Sequence, residues 1–114
     1  MIKSNHLQKQ PKVLTKINKY PVQAIIDTGA SVSVISQNSL PPNCQINPEG
    51  FQGTLRDISS NIDVLGSVKL NLEITPNLTI NHECLVIQNS LPSNMILGAD
   101  ILARLQAVID FQNK

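Results

Sequence analysis

Ile62, Val64, Gly66, Val68, Leu70, Leu72 and Ile74 take every second position of a thirteen-residue stretch, and Asp63, Ser67, Lys69, Asn71 and Glu73 lie between them. A period of two sends alternate side chains to opposite faces of a strand, whereas an amphipathic helix needs a period near 3.6. The stretch therefore reads as one long strand with an apolar face and a wet face. It is longer than most strands, and Gly66 at its middle predicts a bend or bulge. Its first half, with Phe51 to Asp57 as partner and Ile58-Ser59-Ser60-Asn61 as tip, can project as a hairpin beyond the sheet, in the manner of a lid.

The rest of the chain supplies matching strands. Val13, Thr15 and Ile17 alternate with Lys12, Leu14 and Lys16; Asn18-Lys19 can turn the chain, and Tyr20 to Ile26 can return it. That is a hairpin signal, because Asn tolerates the left-handed backbone a tight turn requires. Ser31 to Ser36 resumes the alternation, which places Ser31, Ser33 and Ser36 on an exposed strand side. Leu40-Pro41-Pro42-Asn43 breaks it, and residues 44 to 50 read as an irregular connection. Leu78 to Ile80 and Cys84 to Ile87 read as further strands, and 88 to 94 as a loop. Asp100 can cap a helix carrying Ile101, Leu102 and Leu105 on one face. Ala107 to Phe111 then predicts a closing strand. No internal repeat is visible. With 114 residues, 41% of them hydrophobic, no Trp, one Tyr and two Phe, the core must be built from Ile, Leu and Val. The β-branched share favours sheet, so the expected class is all-β, in one domain over residues 12–114.

Residues 1–11 read as a flexible basic arm. The net charge of +1 hides an asymmetry: residues 1–19 hold five lysines and no acid, while the remainder holds four basic and eight acidic groups, so +5 is set against −4. The arm lacks arginines and interleaved aromatics, which argues for a solvated segment and against nucleic acid as a partner of the folded part. Cys44 and Cys84 stand far apart with no metal-binding spacing near them, and His6 and His82 are isolated, so two free thiols and no metal are expected. No apolar run reaches the roughly 18 residues of a membrane span, and the first residues do not open a secretory signal. No membrane partner is expected, and the expected setting is cytoplasmic.

One carboxylate stands where the core would least welcome it. Asp27-Thr28-Gly29 follows the apolar run Val22-Gln23-Ala24-Ile25-Ile26 and precedes Ala30-Ser31, putting a charge at the point where a strand gives way to a turn. Two readings compete: a turn aspartate satisfied by its own backbone, or a carboxylate held for chemistry. The serines lack a paired histidine and make no hydrolase triad.

Together with a second motif, this arrangement resembles the retropepsin-like aspartic proteases of retroviruses, long-terminal-repeat retrotransposons and their domesticated relatives. The pieces that carry the resemblance are Ala24 to Ser31, the central hairpin with Gly66 on its return strand, Met95-Ile96-Leu97-Gly98-Ala99-Asp100-Ile101-Leu102, and Val108-Ile109-Asp110-Phe111, in the family's order over about residues 12 to 111. Gly98-Ala99-Asp100 and Ile109-Asp110-Phe111 look more like the retrotransposon branch; in the retroviral branch an arginine commonly follows the Gly. The resemblance implies a closed, barrel-like β fold with a flap hairpin and one short C-terminal helix, assembled as an obligate homodimer. It further implies an aspartic endopeptidase that needs no cofactor and cleaves extended peptide segments of a retroelement polyprotein, including its own flanks, in the cytoplasm or within a virus-like particle.

Carboxylate chemistry on a peptide bond needs one group ionised and one protonated, and two carboxylates held close share one proton. The chain has a single Asp-Thr-Gly, so the resemblance implies that a second copy brings the other, across a two-fold axis. Residue by residue it makes Asp27 catalytic, has Thr28 hydrogen-bond across the axis and Gly29 admit the substrate backbone, and places Ala30 along the cleft. Leu55, Ile58, Ile62 and Ile96 would touch substrate, and Leu97 and Gly98 would form, with Ile96, a structural floor beneath the loop. A different class of function remains open: a retropepsin-like dimerisation or peptide-binding module with weak or no catalysis.

Overall fold

A computed structural model describes residues 11–50, 54–56, 61–88 and 94–112, without the side chains of 54–56, 61–63 and 108–112. The arm over residues 1–10, the hairpin tip with Ile58, the start of its first strand and the loop over 89–93 lie outside the described residues. Among the described residues, seven strands and one C-terminal helix run in the order β1 (Lys12–Ile17), β2 (Tyr20–Ile26), β3 (Val34–Ser36), β4 (Thr54–Arg56), β5 (Asn61–Thr75), β6 (Leu78–Ile87), β7 (Met95–Leu97) and α1 (Ala99–Gln112).

The β1–β2 hairpin turns at Asn18 and Lys19, whose φ angles of 48° and 77° are the pair of positive values that a tight two-residue hairpin turn uses. Asn18 then docks the turn on β5, its N–H donating to the Asn71 carbonyl at 3.0 Å and its Oδ1 accepting from the Asn71 N–H at 3.1 Å. Strand order β1-β2-β7-β3-β6-β5 closes into a ring because β5 returns to β1 through Lys16↔Glu73 and Ile17↔Leu72. The result is a closed six-stranded barrel, which removes the exposed edges an open sheet would carry. Strand β4 stays outside the ring, paired only with the leading part of β5 through Thr54↔Asp63, Leu55↔Ile62 and Arg56↔Asn61.

Gly66 marks the bend expected of it. The register slips between Val64↔Ile87 and Gly66↔Val86, which leaves Leu65 as the extra residue of a bulge. Only glycine fits there: φ is +149°, and a Cβ would lie 2.2 Å from the Asn47 carbonyl oxygen. The loop at Asn47 bridges Ser67 by two backbone hydrogen bonds of 2.8 and 3.0 Å, and so covers what the alternation marks as a wet face. Ser67 is buried there and donates to Glu83 Oε2 at 2.6 Å.

Two apolar clusters form the interior. The larger gathers Ile17, Leu70, Leu72, Cys84, Met95 and Leu97 among others inside the ring; the smaller consists of Ile25, Ala30, Val34, Ile87 and Ile96. Each fully buried Ile or Leu contributes on the order of 1.5–3 kcal/mol relative to exposure. Both cysteines are free thiols. Among the described residues no helix is long and apolar enough to cross a membrane.

Besides Ser67, three sequence expectations are corrected. The closing strand over Ala107 to Phe111 does not form; α1 continues to Gln112. Ala103-Arg104-Leu105-Gln106-Ala107 contains only good helix formers, and Val108 and Ile109 cost only a few tenths of a kcal/mol each in a helix, so nothing stops propagation. Asp100 lies inside the first turn of the helix, not at its cap, for the first helical bond runs from the Leu102 N–H to the Gly98 carbonyl at 3.1 Å. Ser33 and Ser36 are buried, and the regular strand begins only at Val34, because Ser33 is drawn into a polar network described below.

Candidate active site

Asp27 is the first residue beyond β2. Its N–H extends the parallel β2–β7 ladder by donating to the Leu97 carbonyl at 3.0 Å, one step past Ala24↔Met95, Ile25↔Ile96 and Ile26↔Leu97. Parallel neighbours end on the same side of a sheet, so the turn after β2 and the corner after β7 meet. Thr28 and Gly29 are exposed and turn the chain. The Gly29 N–H donates to Asp27 Oδ1 at 2.9 Å, and the Ala30 N–H donates to the Asp27 carbonyl at 3.2 Å.

The self-contained turn demanded by a purely structural aspartate is therefore present, but a surface turn would leave its carboxylate in water. Asp27 is only 1% exposed, and Oδ2 is sealed from solvent. Burying a carboxylate is costly and calls for compensating interactions. Here the surrounding loop is held at several points from the other end of the chain.

Gly98 forms that hold. A Cβ on it would sit 2.5 Å from the Val32 carbonyl oxygen and 2.8 Å from that of Ala30, a separation no substituted residue could keep. Its N–H donates to Ser33 Oγ at 2.9 Å, and the next N–H, of Ala99, donates to the Ala30 carbonyl at 2.7 Å. The segment Leu97-Gly98-Ala99 is thus laced to the 27–33 loop at three levels. Beneath them, Ala30 and Ile96 lie in the smaller apolar cluster and Leu97 in the larger, all three buried. Leu55 and Ile62 face each other as a pair on the β4–β5 hairpin; their side chains and Ile58 fall outside the description.

Sequence reasoning assigned no role to Ser33, His82 or Arg104. Ser33 Oγ donates to Asp100 Oδ1 at 2.7 Å, and the Ser33 N–H donates to Asp100 Oδ2 at 3.1 Å. His82 Nε2 lies 2.9 Å from the same Oδ2, and Arg104 Nη1 lies 2.7 Å from His82 Nδ1 and 2.6 Å from the Asn81 carbonyl. Burial would push the Asp100 carboxyl up, but the bonds from Ser33, His82 and the Ile101 N–H outweigh it and hold the group below its ordinary value. The usable signal was Asp100 and Arg104, four apart on a helix face. The position after Gly98 is an exposed Ala99; the Arg104 guanidinium meets His82 and the Asn81 carbonyl.

Among the described residues the chain offers one buried carboxylate, in this loop. Acid–base chemistry on a peptide bond would need a second, since one carboxylate cannot at once give and take a proton.

Comparison with known proteins agrees with this geometry. The family profile described as retroviral aspartyl protease matches residues 7–110. Among solved structures, the chain is similar to EIAV protease complexed with the inhibitor HBY-793, at 23% identity over 92% of this chain and 95% of that one, with a TM-score of 0.66. It is also similar to the retroviral protease-like domain of Ddi1 from Leishmania major, at 20% identity over 86% and 79% of the two chains, with a TM-score of 0.63. No match is found among curated proteins.

Proposed function

The chain belongs to the retroviral aspartyl protease family, and on that premise we propose that it is an aspartic endopeptidase whose working form is a homodimer with one Asp27 from each copy. The observation that carries this reading is the sealed Asp27 carboxylate at the β2–β7 junction, in a chain with a single Asp-Thr-Gly.

On this reading a two-fold axis brings both Asp27 side chains together, and they share one proton because both cannot ionise at close range. The ionised member takes a proton from water as the water oxygen attacks the scissile carbonyl carbon. The protonated member donates to the carbonyl oxygen, giving a neutral tetrahedral intermediate. Its collapse breaks the C–N bond as the Asp27 that took the water proton gives it to the leaving nitrogen and the other Asp27 takes a hydroxyl proton, which restores the dyad, so no cofactor is required.

Thr28 would hold the two loops across the axis, and Gly29 would let the substrate backbone approach. Ala30 and Ile96 would offer apolar contact beside the dyad, with Leu97 and Gly98 as floor, and Leu55, Ile58 and Ile62 would close over the substrate from the hairpin. An extended peptide bound as an added strand suits such a cleft. We place the substrate in a retroelement polyprotein that includes the domain's own flanks, processed in the cytoplasm or in a virus-like particle.

One sequence feature favours a second reading, a dimerisation or peptide-binding module: the hairpin tip reads Ser59-Ser60-Asn61, polar and without a glycine cluster. A library of unstructured peptides, incubated at about pH 4 to 7 where carboxylate dyads share a proton, separates the two. Cleavage by the wild type that Asp27→Asn abolishes is the expected result. Equal peptide binding by both proteins without cleavage would sink the protease reading.

A further inference from the structure

The polar network on the far side of Gly98 ends on two residues that touch neither Asp27 nor its loop. We propose that His82 and Arg104 are positioning residues for the Asp27 loop, acting through Asp100 and Ser33. The inference rests on the protease reading only for its effect on turnover; its effect on the loop stands on geometry.

Ser33 is the junction. Its Oγ accepts from the Gly98 N–H at 2.9 Å while donating to Asp100 Oδ1 at 2.7 Å, so both functions of the hydroxyl are used and its rotamer is set. Gly98 lies so close to the Val32 carbonyl that a Cβ would not fit, and its N–H is bonded to Ser33, which ties Ser33 to the corner that also supplies the Leu97 and Ala99 bonds. Asp100 in turn is oriented by four hydrogen bonds: the Ser33 hydroxyl and Ile101 N–H on Oδ1, and the Ser33 N–H and His82 Nε2 on Oδ2. Remove the imidazole and Oδ2 keeps one donor, in a site where the His82 side chain is 12% and that of Asp100 27% exposed.

Arg104 decides the state of the ring. A guanidinium only donates, so Nδ1, 2.7 Å from Arg104 Nη1, must carry the lone pair, and Nε2 must carry the hydrogen aimed at Asp100. Arg104 therefore selects the tautomer that can bond the carboxylate, as a partner on one imidazole nitrogen commonly fixes the other. The charged groups bonded to the ring are Asp100 and Arg104, both from α1; Leu70 lies opposite on β5. Arg104 is exposed and β6 is a barrel strand, so the relay ties the loop to the rigid wall of the fold.

Amide hydrogen exchange on the full-length chain tests this without relying on catalysis. In His82→Leu, the amides of Asp27, Gly98 and Ala99 are expected to exchange at least about tenfold faster while those inside the β1–β2 hairpin hold their protection. His82→Gln, which can still place a donor near Asp100, should restore most of it. Arg104→Ala, a surface change that should fold, should show the same pattern at about threefold, and it decides the matter if His82→Leu does not fold. Unchanged loop protection, or a loss spread evenly over the chain, would overturn the proposal. Where the wild type cleaves peptides, kcat should fall with KM within about twofold, the sign of lost positioning and not of lost binding. Selective loop exchange with no wild-type cleavage would leave the relay standing and remove the protease reading; cleavage with unaltered exchange and kcat in the variants would do the reverse.

Discussion

The backbone N–H of Asp27 donates to the carbonyl of Leu97 at 3.0 Å, joining the end of the second strand to the end of the last one. That contact brings Gly98 against Val32 and Ala30, and so anchors from the far end of the chain a loop whose own turn already bonds the carboxylate.

Gly98→Ala is accordingly expected to destabilise the fold by about 1–3 kcal/mol, the usual cost of overpacking, read as a lower urea midpoint with unchanged slope. Activity should fall by more than the unfolded fraction explains, since even a 1 Å misplacement can cost about a hundredfold. A variant with wild-type stability and turnover would show that the corner does not set the loop.

Specific activity should fall on dilution, because each copy carries one Asp-Thr-Gly and the proposed site needs two. Initial rates across a hundredfold range of protein, compared with sedimentation over the same range, check this. A rate strictly proportional to protein while sedimentation reports dissociated chains would count against a shared site.

Acid should remove a contribution made by Asp100. Its folded-state carboxyl lies below the ordinary value of 3.8, so the stabilisation is fully present above that unfolded value and is lost as pH falls through the lower folded value. Thermal melts from pH 6 down to about pH 2 should show the wild type losing more stability than Asp100→Asn over the acid end, with the two curves converging there. Parallel curves would contradict the assignment.

The two thiols should differ in reactivity. Burial, with the charges of Asp100 and Glu83, pushes Cys84 up to about 12, and burial raises Cys44 less strongly against a hydrogen bond from Asn18. At neutral pH a thiol reagent followed by peptide mass mapping should label Cys44 slowly and leave Cys84 until the chain unfolds. Early labelling of Cys84 would mean that the barrel opens readily.

Local pattern carried far in this chain. The alternation along β5, the bulge at Gly66 and the Asn18-Lys19 turn are all decided by neighbours in sequence, and each was legible. So was Asp27-Thr28-Gly29, because a charge beside a buried strand is anomalous on its face. Val108 and Ile109 misled for the opposite reason: their strand preference is weak beside the uninterrupted helix formers before them. Ser33 looked like an exposed strand residue and His82 like an isolated one. Their partner is Asp100, distant along the chain, and a pairing of that kind has no local pattern to betray it. Ser67 misled in the same way, its wet face being covered by the loop at Asn47.

The parallel pairing of β2 with β7 also sets an order of events. A ribosome can release the hairpin and even most of the barrel wall before Met95–Leu97 exists, and contacts between such remote segments form late and slowly in folding. The loop bearing Asp27 therefore stays unanchored until Met95–Ala99 has emerged. On the proposed reading, the emergence of Met95–Gly98 sets the earliest moment at which a copy can join a working dimer, ahead of any control by concentration.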